Sequence, residues 1–350
     1  MIVVSEYIHE VSPDEVPLSI RNAILKKDSA ADTTITILGT SGCGKTCYLL
    51  SMYHKMCSGM KGFTITADDD VDVDLRNRYK RMTDRSLGDA RFPLGTDSRE
   101  RYDFTLEYGY EPIMSFSWDD YPGQVLDDKS TGDIEMFSEV EKSIIKSSCL
   151  FICIDGELLC DGDFDEKIEN IQYDCSIIIN NFISRYKKKH RHLPPTAFVI
   201  TKWDICQGYT NEDELKELLK ETFMPFFDVG STTAIIPVSI DTKNGTSNTS
   251  ERLHPYHIQL PIYMGIYLAL QDRIVVLQKK QKKMDSERAN ESNSFFIFRN
   301  DKKIAQLEQS IDQIQEDIKI KTRNLYNLIA ELDKYNVPLF VDGEQCSFLQ

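Results

Sequence analysis

The stretch Gly39-Thr40-Ser41-Gly42-Cys43-Gly44-Lys45-Thr46 has the spacing G-x-x-x-x-G-K-[ST]. The chemistry of such a stretch is the holding of phosphate. Gly39, Gly42 and Gly44 let the backbone curl so that its N–H groups point inward at anionic oxygens. A helix that starts at the end of the loop adds its partial positive charge. Lys45 would reach β- and γ-phosphates, and the Thr46 hydroxyl would bind Mg2+. A glycine-rich turn with a surface lysine satisfies the same letters, so context decides. Here a β-type run, Thr34-Ile35-Thr36-Ile37-Leu38, comes before, and an apolar helical run through Cys47, Tyr48, Leu49, Leu50 and Met52 comes after. Strand, glycine turn and helix start are the context that a phosphate site requires.

Three further pieces follow in order. Asp120-Tyr121-Pro122-Gly123 offers a carboxylate for Mg2+, through a water, and a glycine N–H for a γ-phosphate. Gln124 comes next, where a side-chain amide can orient an attacking water. Thr201-Lys202-Trp203-Asp204 suits a base reader: one carboxylate accepts from two adjacent N–H donors, the N1 and 2-amino edge of guanine, and the Lys202 stem lies across the purine. Adenine presents no such donor pair. Ser239 follows the run Ile235-Ile236-Pro237-Val238 and fits a loop touching the base from the other side. An acidic turn, or a strand-end turn, is the bland alternative for each piece alone.

The elements that must position these residues are legible. Tyr102–Tyr108 alternates as a half-buried strand does, and Gly109-Tyr110-Glu111-Pro112 turns it into Ile113–Trp118, predicting an antiparallel hairpin. Cys149–Ile154 and Ala197–Ile200 are continuous apolar runs, as strands buried on both faces of a parallel sheet are. Ala234–Ser239 reads as the last strand. Helices are expected near Ile134–Ser147, over Asp165–Lys189 and over Asn211–Leu219. The acidic run Asp68, Asp69, Asp70, Asp72 and Asp74 lacks the glycine and terminal glutamate of a twelve-residue Ca2+ loop and reads as a solvated turn. Each motif falls at the C-terminal end of a predicted strand, where open α/β sheets bind ligands.

From Ile262 the pattern changes to two long helices, Ile262–Met284 and Lys302–Tyr335. In the second, Ile304, Leu307, Ile311, Ile314, Ile318, Leu325, Leu328 and Leu332 keep a 3–4 spacing broken only by Lys321, a heptad seam. An antiparallel hairpin and an intermolecular coiled coil both satisfy it. The tip, Phe295-Phe296-Ile297-Phe298, is a docking site if exposed and a satellite core if folded back. The expected organisation is a lead-in over 1–33, an α/β domain over 34–261, a helical hairpin or coiled coil over 262–336 and a tail over 337–350.

Composition narrows the classes. The 350 residues carry a net charge of −15, which argues against binding nucleic acid or an anionic membrane through the overall field. The nine cysteines are odd in number and contain no C-x-x-C pair, predicting a reducing, cytoplasmic setting. The N-terminus has no signal-peptide pattern, and no run of eighteen apolar residues is seen, so no membrane span is expected.

This ordered set resembles the Ras-like, translation-factor-related class of P-loop GTPases over residues 34–240. The resemblance implies a parallel sheet with one antiparallel edge strand, GTP and GDP as ligands, Mg2+ as cofactor and a nucleotide-dependent switch. It implies that a threonine ahead of the second strand closes on the metal. Thr96 is the choice, with Thr83 as fallback, and Arg91, Arg99 and Arg101 are candidates for an internal arginine finger. The long insert after the first helix and the appended helices look like the bacterial double-GTPase type. Such proteins are often encoded beside a second GTPase, so a protein partner reached through the C-terminal helices is expected. Thr201 stands where the usual motif has Asn. That leaves open an ATP-using P-loop branch, and a nucleotide-bound scaffold without turnover is a third reading.

Overall fold

The computed structural model describes residues 33–95, 98–123, 134–190, 193–241, 253–292 and 300–348. The expected lead-in up to residue 32, Thr96, Gln124 and the Phe295–Phe298 tip lie outside these residues.

Among the described residues nine strands form one sheet. In chain order they are β1 (Thr34–Leu38), β2 (Phe63–Ala67), β3 (Glu100–Tyr108), β4 (Glu111–Asp120), β5 (Cys149–Asp155), β6 (Thr196–Thr201), β7 (Thr232–Pro237), β8 (Leu339–Val341) and β9 (Glu344–Cys346). Their spatial order is β2-β3-β4-β1-β5-β6-β7-β8-β9. The central five, β4 to β7, are parallel, with Ile37 level with Asp120 on one side and with Phe151 on the other. Antiparallel strands flank this block on both sides. The expectation of one antiparallel edge strand is therefore too small.

The helices are α1 (Lys45–Cys57), α2 (Asp69–Thr83), α3 (Ile134–Lys146), α4 (Phe164–Ile171), α5 (Ile177–His190), α6 (Trp203–Cys206), α7 (Glu212–Thr222), α8 (Leu260–Ser292) and α9 (Asp301–Lys334). The acidic run is not a turn: Asp69, Asp70 and Asp72 open α2, where carboxylates face the positive end of the helix. The helix expected over Asp165–Lys189 is α4 and α5 joined by a π-helical turn, Gln172–Ser176.

Alternation along the central strands assigns the two faces. Phe151 and Cys153 of β5 pack with Leu49 and Met52 of α1, and with Tyr263 and Ile266 of α8. Leu150, Ile152 and Ile154 point the other way, to Ile144 of α3, Ile179 of α5 and Leu218 of α7. Helices on both faces explain why β5 and β6 read as continuous apolar runs.

The helices expected to form a separate domain begin inside this core. From Leu260 to Leu270 every residue of α8 is buried, and a Cβ at Gly265 would stand 3.1 Å from Ile35 Cδ1. A helix that is apolar all round belongs in an interior. By length and composition α8 is the kind of helix that can cross a membrane, with a window of mean hydropathy 1.4, against the sequence expectation. Most of that window, 67%, is buried within the fold. Beyond it α8 and α9 run antiparallel, with Lys303 Nζ 2.7 Å from Glu291 Oε2 at one end and His257 and Tyr335 ring-to-ring at 5.1 Å at the other. Lys321, the break in the seam, is buried and ion-paired with Asp317. Residues 337–350, expected as a tail, supply β8 and β9, whose Leu339 pairs with Ala234 of β7.

Candidate functional site

Gly39 leaves β1 where no side chain fits: a Cβ there would lie 2.6 Å from Cys43 Sγ and 2.8 Å from the Cys153 carbonyl. Gly42 (φ 81°) and Gly44 (φ 93°) adopt the left-handed conformation that curls the loop and hands it to α1. Lys45 is buried and folds back across the loop, donating to the Gly39 carbonyl at 2.7 Å and the Thr40 carbonyl at 3.1 Å. Thr40 is held from outside, its hydroxyl donating to Asp174 of the π-turn at 2.9 Å.

One cavity of about 630 Å3 opens on this loop. Ser41, Gly42, Gly44, Lys45, Thr46 and Cys47 form one end, and Thr201, Lys202, Asp204 and Ser239 line it further along. Residues separated by some two hundred positions therefore meet, because β1, β6 and β7 end on the same edge of the sheet. Cys43 is buried behind the loop and is not part of the cavity lining, and neither are Gly39 and Thr40. Their contribution is to hold the loop's shape.

Thr201 does not project a free hydroxyl to the cavity. Its Oγ1 lies 2.6 Å from the Cys43 carbonyl and 3.1 Å from the Ile154 carbonyl, bracing the loop against β5 and β6. Lys202 has a left-handed backbone (φ 52°), and its ammonium lies 2.7 Å from Asp155 Oδ2 and 3.2 Å from Glu157 Oε1. Burial lowers the Lys202 pKa, but the hydrogen bond and charge of Asp155, with Glu157, outweigh it, and the net shift is upward. The Trp203 N–H donates to the Val238 carbonyl at 3.1 Å, tying the Asp204 turn to the Ser239 loop. Ser239 exchanges both backbone hydrogen bonds with Tyr256. Its own Oγ is buried in the cavity wall without a partner among the described residues.

Asp120 ends β4, fully buried, and neither carboxylate oxygen has a hydrogen-bond partner among the described residues. Burial pushes its pKa up to about 7, against the pull of the Lys45 charge. Unsatisfied buried acceptors are costly, and a cation with its water shell is the usual remedy. Among the described residues no three His, Cys, Asp or Glu side chains cluster to hold a metal by themselves. Asp120 does not line the cavity, though it lies near enough to Lys45 to feel its charge; one carboxylate and one hydroxyl, completed by phosphates and waters, are a donor set that would suit Mg2+. Gly123 sits against the loop so closely that a Cβ would run into the Ser41 backbone.

The fallback Thr83 is outside the cavity, its hydroxyl donating to the Lys80 carbonyl at 2.8 Å in the last turn of α2. The three arginines separate. Arg99 pairs with buried Asp119 at 2.7 Å, and Arg101 donates to Ser117 Oγ at 2.7 Å. Arg91 lines the cavity. With Phe92, Pro93, Leu94 and Gly95 it forms a strap along the cavity wall, anchored by Arg85 to Asp241 at 3.3 Å and by Gly95 against Ser41. Sequence reasoning did not foresee Phe92, Pro93, Leu94 and Gly95 as a wall. It missed Ile240 and Leu253, apolar residues of the same wall. Ile240 could have been found as the apolar neighbour of Ser239; Leu253 follows a polar loop and carries no local signal.

No family model matches the chain, and no curated protein matches it. Among solved structures, the S. cerevisiae Ski7 GTPase-like domain bound to GTP is similar at 15% identity and a TM-score of 0.37, over 68% of this chain and 48% of that one. The same domain bound to GDP and inorganic phosphate gives 15% identity and a TM-score of 0.35, over 69% and 50%. The chain spans about half the length of these solved chains. Likeness at this level assigns no residue a role.

Proposed function

We propose that this chain binds guanine nucleotide with Mg2+, hydrolyses GTP to GDP and phosphate, and works as a nucleotide-dependent switch within a protein complex. The observation that carries the proposal is the single cavity in which the phosphate loop and the residues Asp204 and Ser239 stand together. Its volume, about 630 Å3, is in the range that small-ligand sites occupy.

The roles follow from chemistry. The loop N–H groups and Lys45 bind the phosphates, Lys45 exchanging its bonds to Gly39 and Thr40 for bonds to phosphate oxygens. Thr46 and Asp120 would hold Mg2+, which when bound neutralises charge on the β- and γ-phosphate oxygens. Asp204 accepts from the guanine N1–H and 2-amino group, and the buried Ser239 hydroxyl gains a partner at the base. Gly123 offers its N–H to the γ-phosphate, Gln124 orients the attacking water, and Thr96 closes the switch segment. Thr201, standing where the usual motif has Asn, braces the phosphate loop through the Cys43 carbonyl. The Ras-like class, in its double-GTPase form, is the family this reading implies. The hairpin of α8 and α9 is the proposed contact for a protein partner, a second GTPase among the candidates, in the cytoplasm.

The test is displacement of fluorescent GDP from the purified chain in Mg2+. GTP should displace it at concentrations where ATP does not, and Asp204→Ala should lower guanine affinity on the order of a hundredfold. Equal displacement by ATP, with Asp204→Ala silent, would sink the guanine reading and leave the ATP-using one.

A further inference from the structure

Away from the phosphate loop, Glu157, Lys202 and Asp204 share the cavity wall. β5 and β6 end level with each other there, Asp155 beside Thr201. The Asp155 carboxylate is used on both oxygens. Oδ1 accepts the Glu157 N–H at 3.0 Å and caps the turn Gly156–Leu159, while Oδ2 lies 2.7 Å from the Lys202 ammonium. Glu157 Oε1 stands 3.2 Å from the same ammonium. The turn cannot hold a side chain at Gly156, where a Cβ would lie 2.3 Å from the Thr201 carbonyl. Its backbone is therefore packed directly on the strand end that carries Lys202.

Lys202 reaches these partners from a left-handed backbone (φ 52°), uncommon for a residue with a side chain. A lysine stem loses rotamer freedom when it is ordered. Here the ordering precedes any ligand: the backbone fixes where the stem starts, and two carboxylates fix where it ends. The same carboxylates occupy the ammonium and repel phosphate, so this part of the wall suits an uncharged group. The anion end is the glycine loop with Lys45.

We propose that Asp155, which does not itself line the cavity, is a positioning residue for the base site: with Glu157 it clamps the Lys202 ammonium and so lays the Lys202 stem as a fixed wall against the purine. This rests on the guanine reading above and adds to it the residue that prepares the base site in advance. A wall ordered beforehand spares the ligand the cost of ordering it.

The experiment is a double-mutant cycle on the full chain, read as affinity for fluorescent GDP, across Asp155→Asn, Lys202→Met and the pair. Asparagine keeps an oxygen for the Glu157 N–H, and methionine keeps an apolar stem without the ammonium. Each single change should weaken GDP binding about tenfold, and the pair no more than either alone, because Asp155 acts through Lys202. A further loss from Asp155→Asn in the Lys202→Met background marks a merely structural role and overturns the proposal. Unchanged affinity in Asp155→Asn also overturns it, while GDP binding by the unaltered chain leaves the guanine reading standing. Failure of the unaltered chain to bind GDP overturns the guanine reading itself and the clamp's role with it. Affinities are read where circular dichroism shows all four proteins folded. If Asp155→Asn unfolds, Lys202→Met decides alone, since it leaves the Glu157 cap intact, and unchanged affinity there overturns the proposal.

Discussion

The Thr201 hydroxyl lies 2.6 Å from the Cys43 carbonyl, so the turn after β6 is bolted to the phosphate loop by one side chain. Both ends of the cavity are thereby set relative to each other. Thr201→Val keeps the shape and removes the donor. It should cost about 1–3 kcal/mol of stability by stranding a buried carbonyl. It should also speed GDP release without changing the preference of guanine over adenine. Thermal melts and GDP dissociation rates check this; an unchanged release rate would break the link.

Asp120 makes the nucleotide-free protein pH-sensitive. Its pKa is pushed up to about 7 by burial, whereas an unfolded aspartate ionises near ~4. Between those values the unfolded chain releases a proton that the folded chain keeps. This group therefore withdraws stability as pH rises from about 4 to about 7, and its full penalty stands above that. Asp120→Asn should melt like the unaltered chain near pH 4 and higher than it near pH 8, by an amount on the order of a few kcal/mol. The same variant should hold GDP less well in Mg2+. Equal melting at pH 8 would refute the penalty.

Gly39→Ala tests the packing under the loop. Its Cβ would fall 2.6 Å from Cys43 Sγ and 2.8 Å from the Cys153 carbonyl, and a backbone oxygen cannot rotate aside. The expected cost is about 1–3 kcal/mol, with weaker nucleotide binding. Gly208→Ala, where a Cβ meets nothing within 4 Å, is the control.

Leu328 of α9 is fully buried in the cluster that contains Ile35 and Phe151. Leu328→Ala should therefore cost about 2–5 kcal/mol in the melting of the whole molecule. Separate transitions for hairpin and sheet, by circular dichroism and tryptophan fluorescence, would show that the shared cluster does not couple them.

What was legible in the sequence was whatever is repeated locally. The phosphate loop, the hairpin of β3 and β4, and the central strands β5 and β6 have patterns that fit within a few residues. The site was legible to the extent that its motifs end strands. What escaped depends on distant partners. Phe63–Ala67 is a short edge strand whose meaning comes from pairing with Tyr108–Phe104. Leu339–Val341 is a strand only because β7 offers an edge. The first turns of α8 read as a new domain since their composition changes, yet an all-apolar helix is what a sheet face demands. Arg91, Arg99 and Arg101 could not be told apart in the sequence; the fold puts Arg91 in the cavity wall and ties the other two to Asp119 and Ser117.

The hairpin has consequences for force. About eighteen residues of α8 extend beyond its last buried side chain, Ile274, an arm of roughly 27 Å at 1.5 Å per residue. At the base, one helix is wedged against β1 and β5, and the other returns through β8 to β7, the strand that leads to Ser239. An arm with two roots in one sheet cannot swivel freely. A push at its far end arrives as torque on the Thr232–Ala234 end of β7, the strand whose other end leads to Ser239 in the cavity wall, so the molecule is built as a lever whose short end reaches the proposed site through one strand.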